Sequence, residues 1–195
     1  MTHRAPRIPT HATKAFEGTI FTTWQWEQEM FDGTTQIFEG VTRPDYGTAV
    51  GVLPDKNILL VWDEQPDRKG VLTSAGGRLE IGESAEEGTK REFLEETGYE
   101  VGKLTAWFKY RQGGKVEYYN HFFIACDLTK VAEMKLDAGE RIELKTFSFE
   151  DFLRLGSDDS KDIGGPVRDP ILRIHLLEAS LDKDKRNKLY SLLYD

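Results

Sequence analysis

The chain has 195 residues, 38% of them apolar, and a formal net charge of −8 at pH 7. This length allows one domain with an appendage and a sizeable buried core. The acidity argues against a general nucleic-acid binder, which would normally carry a basic patch. A polyphosphate substrate remains compatible, because a bound metal would supply positive charge.

The cysteine content and the length of the apolar runs predict the compartment. Cys126 is the single cysteine, so an internal disulfide is excluded and a reducing compartment fits. It falls in an apolar strand pattern, which favours a buried thiol over a nucleophile. No apolar run approaches membrane-spanning length and the N-terminus lacks a signal-peptide core, so we predict a soluble, cytoplasmic protein that does not enter membranes.

The chain begins with a predicted arm and a predicted hairpin. Residues 1–20 are interpreted as a flexible arm, because the segment starts with basic residues and prolines and holds little apolar material. Residues 21–41 alternate around an Asp32-Gly33 turn signal, which predicts a β-hairpin. Trp24 and Trp26 share one face of its first strand. Packing in the core or in a dimer seam is the ordinary explanation for these indoles, and stacking on a nucleobase is the functional alternative.

Two further strands are predicted at 48–53 and 58–62, joined by a run of turn-forming residues. The segment 63–70 is interpreted as a charged loop, and Arg68 within it is assigned to substrate binding. A short strand at 71–73 then leads into a pair of glycines.

A helix is predicted to follow these glycines. Ser84 with Glu87 three residues later is a capping-box signature, so the helix is expected to begin at Ser84. Gly98 supplies the stop, because glycine accepts the left-handed conformation that commonly ends helices.

The acidic residues of this helix carry the chemical inference. Glu92, Glu95 and Glu96 are spaced i, i+3 and i+4, so their side chains project from one helical face. A solvated acidic face is the ordinary interpretation. Their concentration on one face, with Arg91 among them, favours a site for Mg²⁺, which prefers oxygen ligands alongside substrate phosphates.

Beyond the helix, strands are predicted at 101–110 and 115–127, and a last strand at 142–147. Glu140 lies in the loop before the last strand. A short helix is predicted at 150–155. Strands and helices do not alternate regularly, so the expected architecture is α+β, with a mixed sheet and helices packed on its faces.

The C-terminal segment 156–195 is interpreted as a linker followed by a helical appendage. The composition of 156–166 is typical of a linker or flexible lid. Asp169-Pro170 opens a helix in the preferred way, and a final short helix is predicted at 183–194. The buried stripe of the first of these helices is predicted to consist of Ile171, Ile174, Leu177 and Leu181.

The stretch from 77 to 99 resembles the box of the Nudix hydrolases. That box reads Gly, five residues, Glu, seven residues, then Arg-Glu-U-x-Glu-Glu-x-Gly-U, with U a bulky aliphatic residue. The invariant-type positions are all matched, by Gly77, Glu83, Arg91, Glu92, Glu95, Glu96 and Gly98. With each residue type near roughly 7% abundance, a chance match is on the order of one in a million. Phe93 and Tyr99 depart mildly, since they occupy the two aliphatic positions.

The resemblance implies a Nudix-type fold, with a mixed β-sheet sandwiched between helices. It places the domain at 21–155, including the N-terminal hairpin. It also implies that Mg²⁺, with Mn²⁺ as a substitute, is held by carboxylates of the box and by one backbone carbonyl. The implied metal ligands are Gly76, Glu83, Glu92, Glu95 and Glu96.

The resemblance also implies the catalytic roles. Arg91, which lies among carboxylates, is expected to orient Glu83 and Glu95 and not to contact the substrate. The general base in this family is a box glutamate or a glutamate from a later loop. The candidates here are Glu95 and Glu96 in the box and Glu140 in the loop, with a plain surface charge as the alternative interpretation of Glu140.

The hairpin at 21–41 resembles the N-terminal extension through which ADP-ribose pyrophosphatases pair as dimers. The resemblance therefore implies a homodimer that hydrolyses ADP-ribose or a related nucleotide sugar to a nucleoside monophosphate and a sugar phosphate. Gly114 stands where those enzymes usually carry proline, which weakens the case for ADP-ribose in particular. The alternatives are a MutT-like nucleoside triphosphate pyrophosphatase and a non-catalytic nucleotide sensor of the same fold.

Overall fold

The computed structural model describes residues 8–195, and residues 1–7 lie outside the described part. Strands and helices do not alternate regularly along the chain, as expected for the α+β class. The strands are β1 (Thr13–Glu17), β2 (Thr22–Glu29), β3 (Thr35–Thr42), β4 (Tyr46–Val52), β5 (Ile58–Gln65), β6 (Arg68–Thr73), β7 (Ala75–Arg78), β8 (Tyr99–Arg111), β9 (Val116–Glu117), β10 (Tyr119–Lys130) and β11 (Arg141–Phe147). The α-helices are α1 (Ala85–Thr97), α2 (Phe149–Arg154), α3 (Pro170–Leu181) and α4 (Lys183–Tyr194), and a 3-10 helix covers Asp158–Ile163.

The strands form two sheets. The first sheet has the order β1-β2-β3-β9, and the second has the order β11-β5-β4-β10-β8, with β6 paired to β5 and β7 paired to β4. In the second sheet β4 and β10 run parallel while the other neighbours are antiparallel. This mixed sheet confirms the predicted α+β class.

The predicted N-terminal hairpin is present as β2 and β3, which pair along their whole length. Gly33 has a φ of 80° in the connecting turn, a conformation that suits glycine. The prediction of a flexible arm through residue 20 is wrong for β1, which pairs with β2. The backbone groups of β1 find hydrogen-bonding partners at the open edge of β2, which lies outside residues 1–20. The composition of residues 1–20 therefore does not predict this strand.

The second sheet is buried on both faces. Phe122 belongs to a core cluster shared with α2, α3 and α4, whereas its neighbour Phe123 belongs to the cluster shared with α1. Successive side chains of a strand point to opposite faces, so one strand serves both layers. Phe93 is the fully buried anchor of α1, and its burial contributes about 1.5–3 kcal/mol. The expected sandwich is thus present.

The C-terminal helices are one layer of this sandwich, so the interpretation of 156–195 as a linker and appendage is wrong. Leu172 and Leu176 of α3, and Leu189 of α4, lie in the same core cluster as Leu60 of β5. The linker-like composition is misleading because the 3-10 helix folds back onto the core and buries Ser160 and the adjoining Val167.

The predicted buried stripe of α3 is also wrong. Ile174 is 50% exposed and Leu181 is 87% exposed, while the buried residues are Leu172, Leu176 and Ala179. The apolar residues of α3 lie on more than one side of the helix. Periodicity alone therefore does not select the face that meets the sheet.

This difference gives a first prediction. Leu176→Ala is expected to lower the free energy of unfolding by about 2–5 kcal/mol, because a fully buried side chain leaves a cavity. Leu181→Ala is the matched control on the same helix, with an expected change within about 0.5 kcal/mol. Urea unfolding of both variants checks this, and equal losses would contradict the observed packing of α3.

The segment 63–70 also differs from its prediction. β5 continues to Gln65 and β6 begins at Arg68, so the charged residues form a tight hairpin instead of a loop. The strand predicted at 115–127 is divided into β9, which joins the first sheet, and β10, which joins the second. These pairings bring Arg68 beside the sheet edge where the box begins.

The helices of the structure can be compared with the prediction that the protein does not enter membranes. Among residues 8–195, we find no helix with the length and apolar character needed to cross a membrane. The cytoplasmic location stays a prediction.

Candidate active site

Helix α1 begins and ends where its local sequence predicts. Ser84 Oγ accepts a hydrogen bond from the Glu87 backbone N–H at 3.2 Å, and the Glu87 carboxylate accepts one from the Ser84 backbone N–H at 2.9 Å. Gly98 adopts a φ of 71° and donates its N–H to the Leu94 carbonyl. The capping box and the glycine stop are therefore confirmed, and they set which side chains the helix presents to β7.

Two glycines bring the backbone of β7 against the carboxylates of α1. The Gly76 N–H donates to Glu96 Oε2 at 2.8 Å. A Cβ atom at Gly77 would lie 2.3 Å from the carboxyl carbon of Glu92, so only glycine leaves room for that carboxylate. The Gly76 carbonyl accepts a hydrogen bond from the Tyr46 hydroxyl at 3.1 Å. Burial raises the pKa of Tyr46, so its hydroxyl remains a donor.

Arg91 organises the carboxylates at the open side of the helix. Its Nε and Nη2 atoms each lie 3.0 Å from an oxygen of Glu83, and its Nη1 lies 2.9 Å from Glu92 Oε1 and 3.2 Å from Glu95 Oε2. The expected contacts of Arg91 with Glu83 and Glu95 are present. A planar guanidinium that spans three carboxylates fixes their relative positions.

The two carboxyl groups nearest the glycines, those of Glu92 and Glu96, have raised pKa values. Burial raises the pKa of Glu96 well above its ordinary value, and the charges of Glu92 and Glu140 raise it further. Burial also raises the pKa of Glu92, which Arg91 opposes. Two carboxyl groups with raised pKa values at one end of the sheet favour a cation between them and the solvent.

Glu140 lies close enough to this group to affect the pKa values of both Glu92 and Glu96. Its Oε2 accepts a hydrogen bond from the backbone N–H of Asp137 at 3.1 Å, within its own loop. This loop and the hairpin turn between β5 and β6 line a cavity of about 600 Å³, which includes Glu140 and Arg68. Glu140 therefore lines a cavity that shares Arg68 with the pocket beside Gly76 and Glu96.

A pocket of about 520 Å³ opens directly beside Gly76 and Glu96. Its walls come from β4, β5, β8, β10 and the start of α3. Arg68 lines it, as predicted for a substrate ligand, and is held by an ion pair with Asp63. The other lining residues include Arg43, Tyr46, Thr48, Tyr118, Asn120 and Arg168.

Trp24 and Trp26 do not line this pocket of their own chain. Trp24 Nε1 donates to Thr42 Oγ1 at 2.8 Å, and Trp26 packs edge-on against Phe38 with ring centroids 6.1 Å apart. The register of β2 and β3 pairs these residues within the first sheet, which explains why they lie away from the box.

Comparison with known proteins connects this geometry to a family. A NUDIX domain model matches residues 45–163, more than half of the chain. This chain belongs to the Nudix family. The ADP-ribose pyrophosphatase of Bacillus subtilis (strain 168) is 29% identical over 143 residues, covering 72% of this chain and 77% of that protein. A crystal structure of an ADP compounds hydrolase matches with a TM-score of 0.67 and 19% identity, over 91% of this chain and 95% of that one.

These findings confirm three predictions made from the box. The family is Nudix, with similarity to an ADP-ribose pyrophosphatase, and the fold is the Nudix-type mixed sheet between helices. The chain is accordingly an enzyme of the pyrophosphohydrolase kind, acting on phosphoanhydride bonds.

The Nudix box offers a divalent cation a set of oxygen donors only, which is the set that Mg²⁺ prefers. The space that a Cβ atom would fill at Gly77 is occupied by the Glu92 carboxylate, so this donor is already directed at β7. Within residues 8–195, no three His, Cys, Asp or Glu side chains converge on one point. Arg91 hydrogen-bonds to Glu92 and the Gly76 N–H to Glu96, and the oxygen atoms of these carboxylates suit a hard cation by their chemistry.

The structure adds pocket residues that the sequence does not single out, namely Arg43, Tyr46, Thr48 and Asp63. They belong to β4, to β5 and to the connection before β4, and only strand pairing brings them to the box. One local signal exists, because Tyr46 and Thr48 are two residues apart on a strand and therefore share a face. That face can be recognised as the pocket side only once β7 is known to pair with β4.

Proposed function

We propose that this Nudix enzyme hydrolyses a nucleoside diphosphate linked to another moiety, ADP-ribose or a related nucleotide sugar, to a nucleoside monophosphate and a sugar phosphate. The observation that carries the proposal is the polar pocket of about 520 Å³ that opens beside Gly76 and Glu96. A substrate bound in this pocket would lie next to the box carboxylates. The similarity to a curated ADP-ribose pyrophosphatase supports this class of substrate.

The proposed cofactor is Mg²⁺, with Mn²⁺ as a substitute, held by Glu92, Glu95, Glu96 and the Gly76 carbonyl, with Glu83 behind them. Bound Mg²⁺ supplies charge neutralisation for phosphate oxygens and lowers the pKa of water. Arg91 keeps the carboxylates of Glu83, Glu92 and Glu95 in place through its hydrogen bonds. It acts as a positioning residue.

The protein must also remove a proton from the attacking water. Glu140 is the proposed base, because its charge acts on Glu92 and Glu96 and it lines the cavity that adjoins the pocket at Arg68. Its hydrogen bond to the Asp137 N–H holds the loop that carries it. Glu95 or Glu96 takes this role if Glu140 does not.

The base assignment gives a second prediction. Glu140→Gln is expected to lower kcat by about 10²- to 10⁴-fold with little change in metal affinity, because it removes a proton acceptor and no metal ligand. Steady-state kinetics and a Mg²⁺ titration measure the two effects. Glu143→Gln is the matched control, since Glu143 is an exposed glutamate of the adjacent strand β11. A full-rate Glu140→Gln enzyme would return the role to Glu95 or Glu96.

The substrate itself is tested with a panel of nucleoside diphosphate derivatives and nucleoside triphosphates in Mg²⁺ or Mn²⁺. Release of a nucleoside monophosphate and a sugar phosphate from ADP-ribose or another nucleotide sugar is the expected result. Release of inorganic pyrophosphate from nucleoside triphosphates would identify a MutT-like enzyme instead. An absence of turnover across the panel would support a nucleotide sensor.

We also propose a homodimer that pairs through the first sheet. Within the described part of the chain, no residue of β1, β2 or β3 belongs to either core cluster. This sheet nevertheless exposes large apolar side chains, with Phe16 63% and Ile37 61% exposed. A sheet without a covered face is marginally stable by itself, and exposed apolar patches mark interaction surfaces. A second copy of the chain would cover it.

A further inference from the structure

Arg43 occupies the connection between the two sheets and lines the pocket beside Gly76 and Glu96. Its guanidinium carbon lies 4.9 Å from the ring centroid of Tyr118 and 5.6 Å from that of Tyr46. A third ring, Phe21, lies 5.7 Å away. Aromatic faces attract a guanidinium but do not accept hydrogen bonds along its planar edge. The rings therefore hold the cation in place and leave its donors to another partner.

No partner for these donors is found among residues 8–195. Arg43 makes no hydrogen bond or ion pair there, and its Nε is a buried donor without an acceptor. Asp63 pairs with Arg68 through its Oδ2 atom and Glu96 accepts from the Gly76 N–H, so neither carboxylate is bonded to Arg43. Arginine is almost never buried without a partner, because losing hydration without replacement is costly.

A second observation points to the same place. The buried side-chain polar atoms that lack a partner in the described part of the chain are Arg43 Nε, Thr48 Oγ1 and Asp63 Oδ1. All three residues line this one pocket. Unsatisfied buried groups are rare in folded proteins. Their concentration here indicates a polar ligand with an acceptor for Arg43 Nε and a donor, such as a hydroxyl group, for Asp63 Oδ1.

We infer that Arg43 binds a phosphate group of the substrate and so determines its affinity. The inference rests on the proposed function, which brings a phosphate-bearing molecule into this pocket. A guanidinium suits the role because its N–H fork matches two phosphate oxygens. Arg43 makes no hydrogen bond or ion pair with Asp63 or Glu96, so the anion that it binds would come from the ligand. Arg43 is distinct from Arg68, whose charge Asp63 already balances.

Inorganic pyrophosphate is the test ligand, since it carries phosphate groups and nothing else. Its binding to the full chain in Mg²⁺ is measured by calorimetry for the wild type, Arg43→Met and Arg43→Lys. Arg43→Met is expected to weaken binding about 10- to 100-fold, the value of a charge-assisted hydrogen-bond pair. Arg43→Lys is expected to weaken it several-fold, because a lysine keeps the charge and loses the fork.

Arg154→Met is the matched control, because Arg154 lies on α2, pairs with Asp151 and Asp162, and does not line the pocket. Its pyrophosphate affinity is expected to be unchanged. If Arg43→Met fails to fold in a thermal scan, Arg43→Lys decides the question. Changes below twofold in the folded Arg43 variants would overturn the inference and leave Arg43 as a strut between Phe21 and Tyr118.

The outcome is separable from that of the substrate panel. An enzyme that turns over ADP-ribose while its Arg43 variants keep wild-type pyrophosphate affinity and KM would retain the proposed function and refute the phosphate role. An Arg43-dependent loss of pyrophosphate binding, without turnover of any nucleotide sugar, would support the phosphate role and refute the proposed substrate.

Discussion

Glu96→Gln is expected to lower kcat by several orders of magnitude, and Glu92→Gln to do the same. Both substitutions remove a carboxylate proposed to hold the metal that activates water. Steady-state kinetics at saturating Mg²⁺ measure the effect. Glu86→Gln is the matched control, because Glu86 is an exposed glutamate in the first turn of α1 and is expected to retain full activity. Normal kcat in the Glu96 and Glu92 variants would refute the metal-site assignment.

The same Glu96→Gln substitution is expected to keep or raise stability in EDTA. Burial raises the pKa of Glu96 in the folded state, so the folded protein binds this proton more tightly than the unfolded chain. Stability of the metal-free wild type therefore falls as pH rises from the unfolded pKa through the folded one. Glutamine cannot ionise, so the variant should show less of this fall in urea unfolding between pH 5 and pH 8. A large loss of stability would instead mean that Glu96 is a structural residue.

Deletion of residues 1–41 is expected to yield a monomer with a strongly raised KM. The deletion removes β1, β2 and most of β3, the proposed dimer surface, and with them the rings of Trp24 and Trp26. In a dimer, rings of one chain would lie near the box of the other, where base stacking is worth about 1–3 kcal/mol by analogy with single-stranded nucleic acids. Sedimentation measures the assembly, and kinetics measure KM.

Point variants separate assembly from stacking in the full-length chain. Ile37→Lys is expected to weaken the dimer, because it places a charge on the exposed apolar side of β3. Ile174→Lys is the control, since Ile174 is an exposed apolar residue of α3 and not of the first sheet. Trp24→Ala should raise KM. A full-length protein that sediments as a monomer, or a truncated one that keeps its KM, would rule out this arrangement.

The parts of the fold that local sequence predicts are those whose stabilising contacts are local. Helix α1 begins and ends where its sequence predicts, because Ser84, Glu87 and Gly98 make hydrogen bonds with backbone groups only a few residues away. The hairpin of β2 and β3 also forms where it is predicted, because Gly33 adopts the positive φ that its turn needs.

The errors arise where strand pairing or packing against the sheet decides the structure. β1 is a strand because the edge of β2 receives it. Helix α3 buries Leu176 and exposes Leu181 because the sheet meets it on that side, although both residues are equally apolar. The segment 63–70 becomes a hairpin because β5 extends far enough to pair with β6. The composition of a segment does not by itself specify these pairings and contacts.

The sequence alone determined the family, through the match of residues 77–99 to the Nudix box. It also put Glu92, Glu95 and Glu96 on one helical face, because the i, i+3 and i+4 spacing does so whatever surrounds the helix. Tertiary structure alone decided the shape and charge of the pocket. β4 must pair with β7 and β5 before Arg43 and Asp63 come near the box. Helical spacing acts over a few residues, whereas a pocket is made of residues that only the folded sheet brings together.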